Sequence, residues 1–456
     1  MFEVRDLRQV DLGDIRLNDR LETILEAFTN NSDSSIPQAC KSAAATKAVY
    51  RFFSNDNVEV KELRAGFRKA VVFRIKNCPK GATILYLSDG TNLVFSSHKK
   101  LQGIGVLRNQ KAKGLNLHTT LVSTEEEVVL GVVEQHCWGR KPEDYGQRAL
   151  RSKKPIEEKE SYRWIESFRA SQSSLPSNKK GIFLADRGAD IYEIFLEPRK
   201  ENMHLLIRAL HDRKLVDSHE RMFEELEHSP CAGIMEVTIN RSGERKERVA
   251  RLEIRYKNVT IEPPKNKNFF PQINITIISA KEIFDGVNGQ NLVNWRLLTT
   301  LPISSLEDAI YAVKTYAKRW LIERFHYVLK EGCKVEELQL EKAERIERAV
   351  TVYTVIACRL MYITYLARAA PDLPCTAAFD DDEWRALHCY VHKTPIEPPN
   401  PPSLREALLM LAKIGGFLSR KRDGEPGVKV VWRGMRVLEG AVEMYRILKG
   451  KDVGNA

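Results

Sequence analysis

The sequence predicts an α/β protein in which strand-rich central regions lie between helical regions at the two ends of the chain. Helical apolar periodicity dominates residues 1–65, where DRLETILEAF and QACKSAAATKAVYRFF are the clearest segments. Continuously apolar runs such as GIFLAD and HLLIRAL predict buried strands in the middle of the chain. The tail that follows the linker PIEPPNPP is again helical. At 456 residues, the chain is long enough for two or three domains.

The central elements follow from local patterns in chain order. ATILYLSDGT, LNLHTTLVST and EEVVLGVVEQHCW predict a meander of three strands, and the first of them enters a glycine-containing turn at SDGT. EEKESYRWIESFRASQ predicts a helix. LADRGADIYE predicts a strand that ends at Asp186 and turns through Gly188 into a helix with Asp190 as its N-cap. Alternation of polar and apolar residues between 211 and 300 predicts a β-rich insertion before the next long helix.

Charge is unevenly distributed along a chain whose net charge is +11. Residues 66–116 contain ten basic residues and one acid, for a net charge of +9, and residues 139–180 carry +5. Residues 1–65 carry −2. A basic protein of this kind suits a polyanionic partner such as nucleic acid or an anionic membrane surface. We therefore expect a polyanion to lie mainly against the middle of the chain.

The eight cysteines are scattered without a Cys-x-x-Cys pair, which indicates reduced thiols inside a cell. The first residues are charged rather than signal-like, and no apolar run reaches membrane-spanning length, so a soluble cytoplasmic protein is expected. In HCYVH, His388, Cys389 and His392 form a possible zinc cluster with Cys375 nearby. No second well-spaced ligand pair accompanies them, so ordinary packed or surface residues are the favoured interpretation.

The segment YAKRWLIERFHYVLK predicts an amphipathic helix with an unusual polar stripe. At 100° per residue, Tyr316, Arg319, Glu323 and Lys330 fall within an arc of about 60°, apart from the apolar face. A solvated face with surface salt bridges is the ordinary explanation of such a stripe. The alternative is a helix turned towards phosphates, because arginine supplies forked donors and lysine a point charge.

Three acids are singled out by their positions. Asp89 and Asp186 end predicted strands, and Glu323 lies on the polar stripe. Carboxylate oxygens from two or three such residues suit Mg²⁺ or Mn²⁺, and two ions about 4 Å apart promote reactions at a phosphodiester. A turn-forming role is the alternative for Asp89. The acidic run 380–383 has no strand context and is interpreted as solvated.

Four motifs in order give the chain a resemblance to a known family. The polar stripe matches Tyr-x2-Arg-x3-Glu-x6-Lys, and SDGT and LADRGADIYE resemble the family's first and second Asp motifs, although Gly188 stands where an acid is more usual. VDLGDIRLNDRL and the segment that follows it resemble a DNA-binding region, and IGGFLSRKRDGEPGVKVVWRG resembles a C-terminal region. On these residues the chain resembles the bacterial insertion-sequence transposases typified by that of transposon five.

The resemblance implies a ribonuclease-H-like catalytic core, with a mixed sheet flanked by helices, over residues 66–368. It also implies the β-rich insertion at about 211–300, a helical DNA-binding domain at 1–65 and a helical domain, for dimerisation, at 369–456. The implied reaction is cut-and-paste transposition by a homodimer on terminal inverted repeats, with DNA hairpins as intermediates. A catalytically inactive DNA-binding inhibitor or domesticated descendant, and a metal-dependent nuclease without strand transfer, are the alternatives.

The resemblance also implies roles for individual residues. The metal ligands for two Mg²⁺ or Mn²⁺ ions would be Asp89, Asp186 and Glu323. The residues that hold DNA phosphates would be Tyr316, Arg319 and Lys330. Trp295 would stack on a flipped base, and an aromatic residue packed in the core of a strand is the equal alternative for it. Lys47 and Arg51 are candidate DNA contacts of the DNA-binding region.

Overall fold

A computed structural model describes residues 9–107, 112–141, 143, 154–216, 218–239, 248–283 and 292–450. Several residues of the two basic segments, among them Arg108, Lys111 and Arg148, lie outside the described residues. The chain divides into two compact units. The first unit comprises 1–79, 90–150 and 321–456, and the second unit comprises 80–89 and 151–320.

The described helices and strands place helical regions at both ends of a strand-rich centre, as the local patterns predict, although the helix Met222–His228 and the short strand Gly105–Val106 were not expected. The helices are α1 (Ile15–Asn30), α2 (Ile36–Cys40), α3 (Ala43–Ser54), α4 (Val60–Asn77), α5 (Tyr162–Ser174), α6 (Tyr192–Leu196), α7 (Met222–His228), α8 (Leu306–Ala317), α9 (Trp320–Tyr327), α10 (Ala343–Ala369), α11 (Asp381–His392), α12 (Leu404–Ile414) and α13 (Val428–Leu448). The strands are β1 (Thr83–Val94), β2 (Gly105–Val106), β3 (Lys113–Thr124), β4 (Val129–Trp138), β5 (Lys180–Ala185), β6 (Met203–Arg208), β7 (Gly233–Ile239), β8 (Arg248–Ile261), β9 (Ile273–Glu282) and β10 (Asn294–Thr299).

The second unit is built on a mixed sheet with the strand order β1-β5-β6-β10-β9-β8-β7. β1, β5 and β6 run parallel to one another, and β10, β9, β8 and β7 continue the sheet in antiparallel pairing. The predicted β-rich insertion therefore extends the edge of a parallel core. β5 is buried from Gly181 to Ala185, as expected for a strand covered on both faces. This arrangement confirms the predicted mixed sheet.

The first unit combines an antiparallel hairpin of β3 and β4 with the terminal helices. α4 and α10 pack on β4. Ser42 begins α3 by accepting a hydrogen bond from the backbone N–H of Ala45. Arg348 of α10, which is 9% exposed, donates hydrogen bonds to the carbonyls of Phe53 and Val58 and so ties the end of α3 to the core.

Two sequence interpretations are wrong in this unit. No apolar run of membrane-spanning length was expected, but α10 is long and apolar enough to cross a membrane by length and composition. Within its most apolar 18-residue stretch, 89% is buried inside the protein. The acidic run 380–383 is not simply solvated. Asp380 and Glu383 form a capping box at the start of α11, and Glu383 is 8% exposed because it pairs with Arg359 at 2.9 Å.

Candidate active site

Asp89 and Asp186 occupy matching positions on neighbouring parallel strands of the second unit. The pairing of β1 with β5 ends with Ser88 opposite Ala185, so the two acids are the next residues on their strands. Because residues in register on neighbouring parallel strands point to the same face and lie about 4.8 Å apart, the two carboxylates are expected on one face, at the carboxyl end of the β1–β5 pairing. Asp186 Oδ1 accepts a hydrogen bond from the backbone N–H of Gly188 at 2.7 Å, which caps a short 3₁₀ turn.

The predicted turn at SDGT is wrong, because β1 continues through Gly90 to Val94. An Asp-Gly pair by itself favours a turn. Here the second half of β1, from Gly90 to Val94, pairs with β3 in the first unit, and this pairing keeps its backbone extended. Asp89 is therefore inside a strand. It nevertheless follows directly on the last pair of the β1–β5 ladder, which is what places it beside Asp186.

Asp190 has a different role from the predicted helix cap. Its side chain is 1% exposed, and Oδ2 accepts hydrogen bonds from the backbone N–H groups of Leu210 and His211 at 2.6 and 2.8 Å. Oδ1 lies 2.5 Å from Nη2 of the buried Arg213. Ile191 is the N-cap of α6 instead. The predicted cap role is wrong because the chain after β6 supplies two N–H donors and a buried guanidinium to this carboxylate. These partners bind it more strongly than the first N–H groups of the five-residue α6 would.

Arg319 is the immediate partner of Asp89. Its Nη1 donates a hydrogen bond to Asp89 Oδ2 at 2.8 Å, and the two side chains are only 17% and 16% exposed. Tyr316 lies beside this pair and is 3% exposed. Burial raises the pKa of the Tyr316 hydroxyl, with Arg319 and Arg208 acting in the opposite direction. The hydroxyl is therefore a protonated donor at neutral pH.

Arg208, the last residue of β6, adds a second cation to this group. Burial lowers the pKa of its guanidinium, and the nearby charges of Arg187 and Arg319 lower it further, whereas Tyr316 and Asp186 raise it. Arg208 therefore lies close enough to Arg187 and Arg319 to feel their positive charges, a repulsion that Tyr316 and Asp186 partly offset. A phosphate near them would relieve this repulsion.

The predicted single helix from Tyr316 to Lys330 is wrong. α8 ends at Ala317, and the N–H groups of Lys318 and Arg319 bond to carbonyls three residues earlier, so the chain tightens into a turn before α9 begins. Further on, Val328–Gly332 forms a π-helical turn that contains Lys330. The predicted polar stripe assumed a constant 100° per residue, which neither the turn nor the wider π turn provides.

The division into units also separates the predicted residues. Glu323 and Lys330 belong to the first unit, where Glu323 is exposed and Lys330 Nζ lies 3.3 Å from Glu336 Oε1. Asp89 and Asp186 belong to the second unit. Over the described part of the chain, no three His, Cys, Asp or Glu side chains are gathered in a way that could hold a metal ion. Convergence of the three acids stays a prediction.

Trp295 on β10 is half-buried and packs edge-to-face against Tyr316, with ring centroids 5.4 Å apart and an interplanar angle of 72°. This contact places an indole beside the group of Tyr316, Arg319 and Asp89. An aromatic ring in this position has the geometry to fix the Tyr316 ring and leaves part of its own surface accessible.

Three comparisons with protein families agree with this geometry. Residues 3–58 match the family described as Transposase DNA-binding, residues 164–359 match Transposase DDE domain, and residues 355–451 match Transposase Tn5 dimerisation domain. The chain is a DDE transposase. It therefore belongs to the enzymes that cleave DNA and transfer strands with divalent metal ions, and its matched domains indicate DNA binding and dimer formation. The DDE match also supports the predicted ribonuclease-H-like core.

The DDE match includes Asp186 and Glu323 but begins after Asp89. The assignment of Asp89 therefore depends on its motif and on its register beside Asp186. The donor set fits a divalent cation, because aspartate oxygens at adjacent strand positions are the hard ligands that Mg²⁺ and Mn²⁺ prefer. In the structure, the Asp89 carboxylate is compensated by Arg319.

The DNA-binding match includes Lys47 and Arg51, which are both exposed on α3 of the transposase. They line an open concave surface of about 690 Å³ together with Tyr50 and Lys41. Lys41 is engaged elsewhere, because its ammonium lies 3.1 and 2.8 Å from the carboxylates of Glu439 and Glu443 of α13. Contact of Lys47 and Arg51 with DNA phosphates stays a prediction.

Sequence reasoning missed an arginine-rich cleft of the second unit. Arg187, Arg208 and Arg296 line a space of about 430 Å³ with Phe223 and Asn294. The Arg296 guanidinium lies 4.3 Å from the Phe223 ring centroid. One signal was available in the sequence, since Arg208 ends an apolar strand that was predicted as buried.

His388 and His392 are neighbours on α11, with ring centroids 4.4 Å apart. Burial lowers the pKa of His388, and the charge of His392 lowers it further. Cys389 lies between them in sequence. Among the described residues, no third His, Cys, Asp or Glu side chain is gathered with them in a way that could hold a metal ion.

Proposed function

We propose that this transposase excises a DNA element at its terminal inverted repeats and joins it to target DNA by a cut-and-paste reaction. The observation that carries the proposal is the placement of Asp89 and Asp186 at matching positions on β1 and β5. Glu323 occupies the acidic position of the Tyr-Arg-Glu-Lys motif and is proposed as the third metal-binding carboxylate. Its position inside the DDE match supports this assignment.

The three carboxylates would hold two Mg²⁺ or Mn²⁺ ions, which when bound activate an attacking oxygen and stabilise the leaving oxygen at a phosphodiester. The other side chains act on the DNA. The protonated Tyr316 hydroxyl donates a hydrogen bond to a phosphate oxygen. Arg319 and Lys330 neutralise phosphates of the same strand.

We further propose that the second strand is cut through a DNA hairpin. A hairpin requires a sharp bend and at least one unstacked base, and a partly exposed indole is a suitable stacking partner for such a base. Trp295 has this exposure and lies against Tyr316. Two copies of the chain would hold two element ends together in the synaptic complex, as the dimerisation match supports. The protein would work in the bacterial cytoplasm on chromosomal DNA.

The test begins with the DNA that flanks the gene, where matched inverted repeats would identify the substrate. Labelled duplexes carrying that repeat are then incubated with Mg²⁺ and target DNA. Asp89→Ala, Asp186→Ala and Glu323→Ala should each abolish cleavage and joining while DNA binding remains, because binding depends on other residues. Asp372→Ala, which removes an exposed acid of the C-terminal region, is the control and should retain both reactions.

The outcomes separate the possible functions. An inactive inhibitor would bind the repeat without cleaving it, and a plain nuclease would cleave it without joining it to target DNA. Cleavage at the wild-type rate by any of the three alanine variants would remove that residue from the proposed metal site.

A further inference from the structure

The Asp89–Arg319 ion pair is mostly buried and joins a proposed metal ligand to a proposed phosphate-binding residue. Its Nη1–Oδ2 distance is 2.8 Å, and about five-sixths of each side chain is covered. While this contact is intact, Arg319 occupies an oxygen that Asp89 would offer to a metal ion, and Asp89 occupies a donor that Arg319 would offer to a phosphate. A guanidinium and a divalent cation that share one carboxylate would also repel each other strongly at such distances.

Arg319 is also placed so that its side chain can be reoriented. It lies in the turn between α8 and α9, where its N–H bonds to the Tyr316 carbonyl three residues earlier rather than within a regular helix. The long, multiply rotatable arginine side chain can change direction here without disturbing the hydrogen bonds of either helix. Its alternative partners are phosphates, which accept forked hydrogen bonds as carboxylates do.

We propose that Arg319 is the counter-ion of Asp89 before substrate binds and that it exchanges this carboxylate for a DNA phosphate when the metal ion is bound. The inference rests on the proposed function of Asp89 as a metal ligand. A phosphate that captures Arg319 releases Asp89 for the metal ion, and a metal ion at Asp89 releases Arg319 for the phosphate. By linkage, DNA and metal ion therefore raise each other's affinity by the same factor.

This exchange has a consequence for the protein without DNA. The ion pair opposes metal binding at Asp89, so the active site becomes fully loaded only when a DNA strand is in place. Coupling of this kind between two ligands is usually about 5- to 150-fold. The same mechanism limits metal-dependent cleavage in the absence of a correctly positioned strand.

The test is the affinity of the full-length protein for Mn²⁺, measured by isothermal titration calorimetry and by the spin-resonance signal of free Mn²⁺. Without DNA, Arg319→Ala and Arg319→Gln should bind Mn²⁺ more tightly than wild type, within the 5- to 150-fold range above. A duplex carrying the inverted repeat should tighten Mn²⁺ binding by wild type and should have little effect on the Arg319 variants. Lys318→Ala removes a neighbouring positive charge and should leave the Mn²⁺ affinity unchanged.

The variants also distinguish the two proposals. If Asp89→Asn binds Mn²⁺ as tightly as wild type, Asp89 is not a metal ligand and the proposed site fails. If Asp89→Asn loses Mn²⁺ while both Arg319 variants match wild type, the metal site stands and the exchange is wrong. If Lys318→Ala tightens Mn²⁺ binding as much as Arg319→Ala does, the effect comes from the loss of any nearby positive charge, and the exchange is wrong. Circular dichroism and cooperative unfolding confirm that each variant is folded.

Discussion

Replacement of Asp190 by alanine should strongly destabilise the second unit, although the sequence suggested only a helix cap at this position. The carboxylate is 1% exposed and compensates Arg213, which is 9% exposed, at an N–O distance of 2.5 Å. It also accepts hydrogen bonds from the backbone N–H groups of Leu210 and His211. Removing one partner of a buried pair costs about 3–5 kcal/mol, because the remaining charge stays buried. Domains are stable by only about 5–15 kcal/mol in total.

The appropriate measurements are urea unfolding of the full-length protein and hydrogen exchange of the segment after β6. In Asp190→Ala, the amides of Leu210 and His211 lose their acceptor, so the peptide that contains them should exchange much faster. Asp190→Asn keeps an oxygen acceptor but loses the charge, and its stability should lie between those of wild type and Asp190→Ala.

A matched control is provided by Arg405 and Glu425, which lie 2.7 Å apart with side chains 50% and 41% exposed. Exposed pairs contribute about 0–1 kcal/mol, so Glu425→Ala should be nearly neutral. Similar unfolding midpoints for Asp190→Ala and Glu425→Ala would refute the reasoning from burial. Because Asp190 links the turn after Asp186 to the chain after β6, Asp190→Ala should also slow DNA cleavage by any protein that remains folded.

Three further predictions concern DNA. Arg319→Ala and Lys330→Ala should slow hairpin formation more than first-strand nicking, because only hairpin formation requires a strand held in a strained bend. Near-wild-type rates for both steps in a gel assay would contradict this prediction. Trp295→Ala should reduce hairpin formation, whereas Trp295→Phe should retain most of it if stacking is the function, and base-analogue fluorescence at the hairpin site would report the stacked base. If Lys47 and Arg51 each contact one phosphate, Lys47→Ala and Arg51→Ala should each make the slope of log DNA affinity against log salt concentration shallower by about 0.9. An unchanged slope would remove that residue from the DNA interface.

The sequence by itself determined most of the secondary structure and the family. LNLHTTLVST was predicted as a strand and lies within β3, and EEKESYRWIESFRASQ includes most of α5. Such elements are predictable because periodicity, caps and chain stiffness depend on residues a few positions apart. The order of the motifs, which the family matches support, likewise needs no tertiary information.

Only the tertiary structure decided how the polar side chains are paired. Asp89 and Arg319 are separated by 230 positions, and nothing local distinguishes Asp89 from an acid in a turn. Asp190 and Glu383 likewise look like surface or capping residues until Arg213 and Arg359 are placed beside them. The turn at Arg319 also broke the helical periodicity on which the predicted stripe depended. The physical reason is that a charge becomes buried only where a distant segment supplies a partner that offsets its desolvation, and that partner is chosen by the fold.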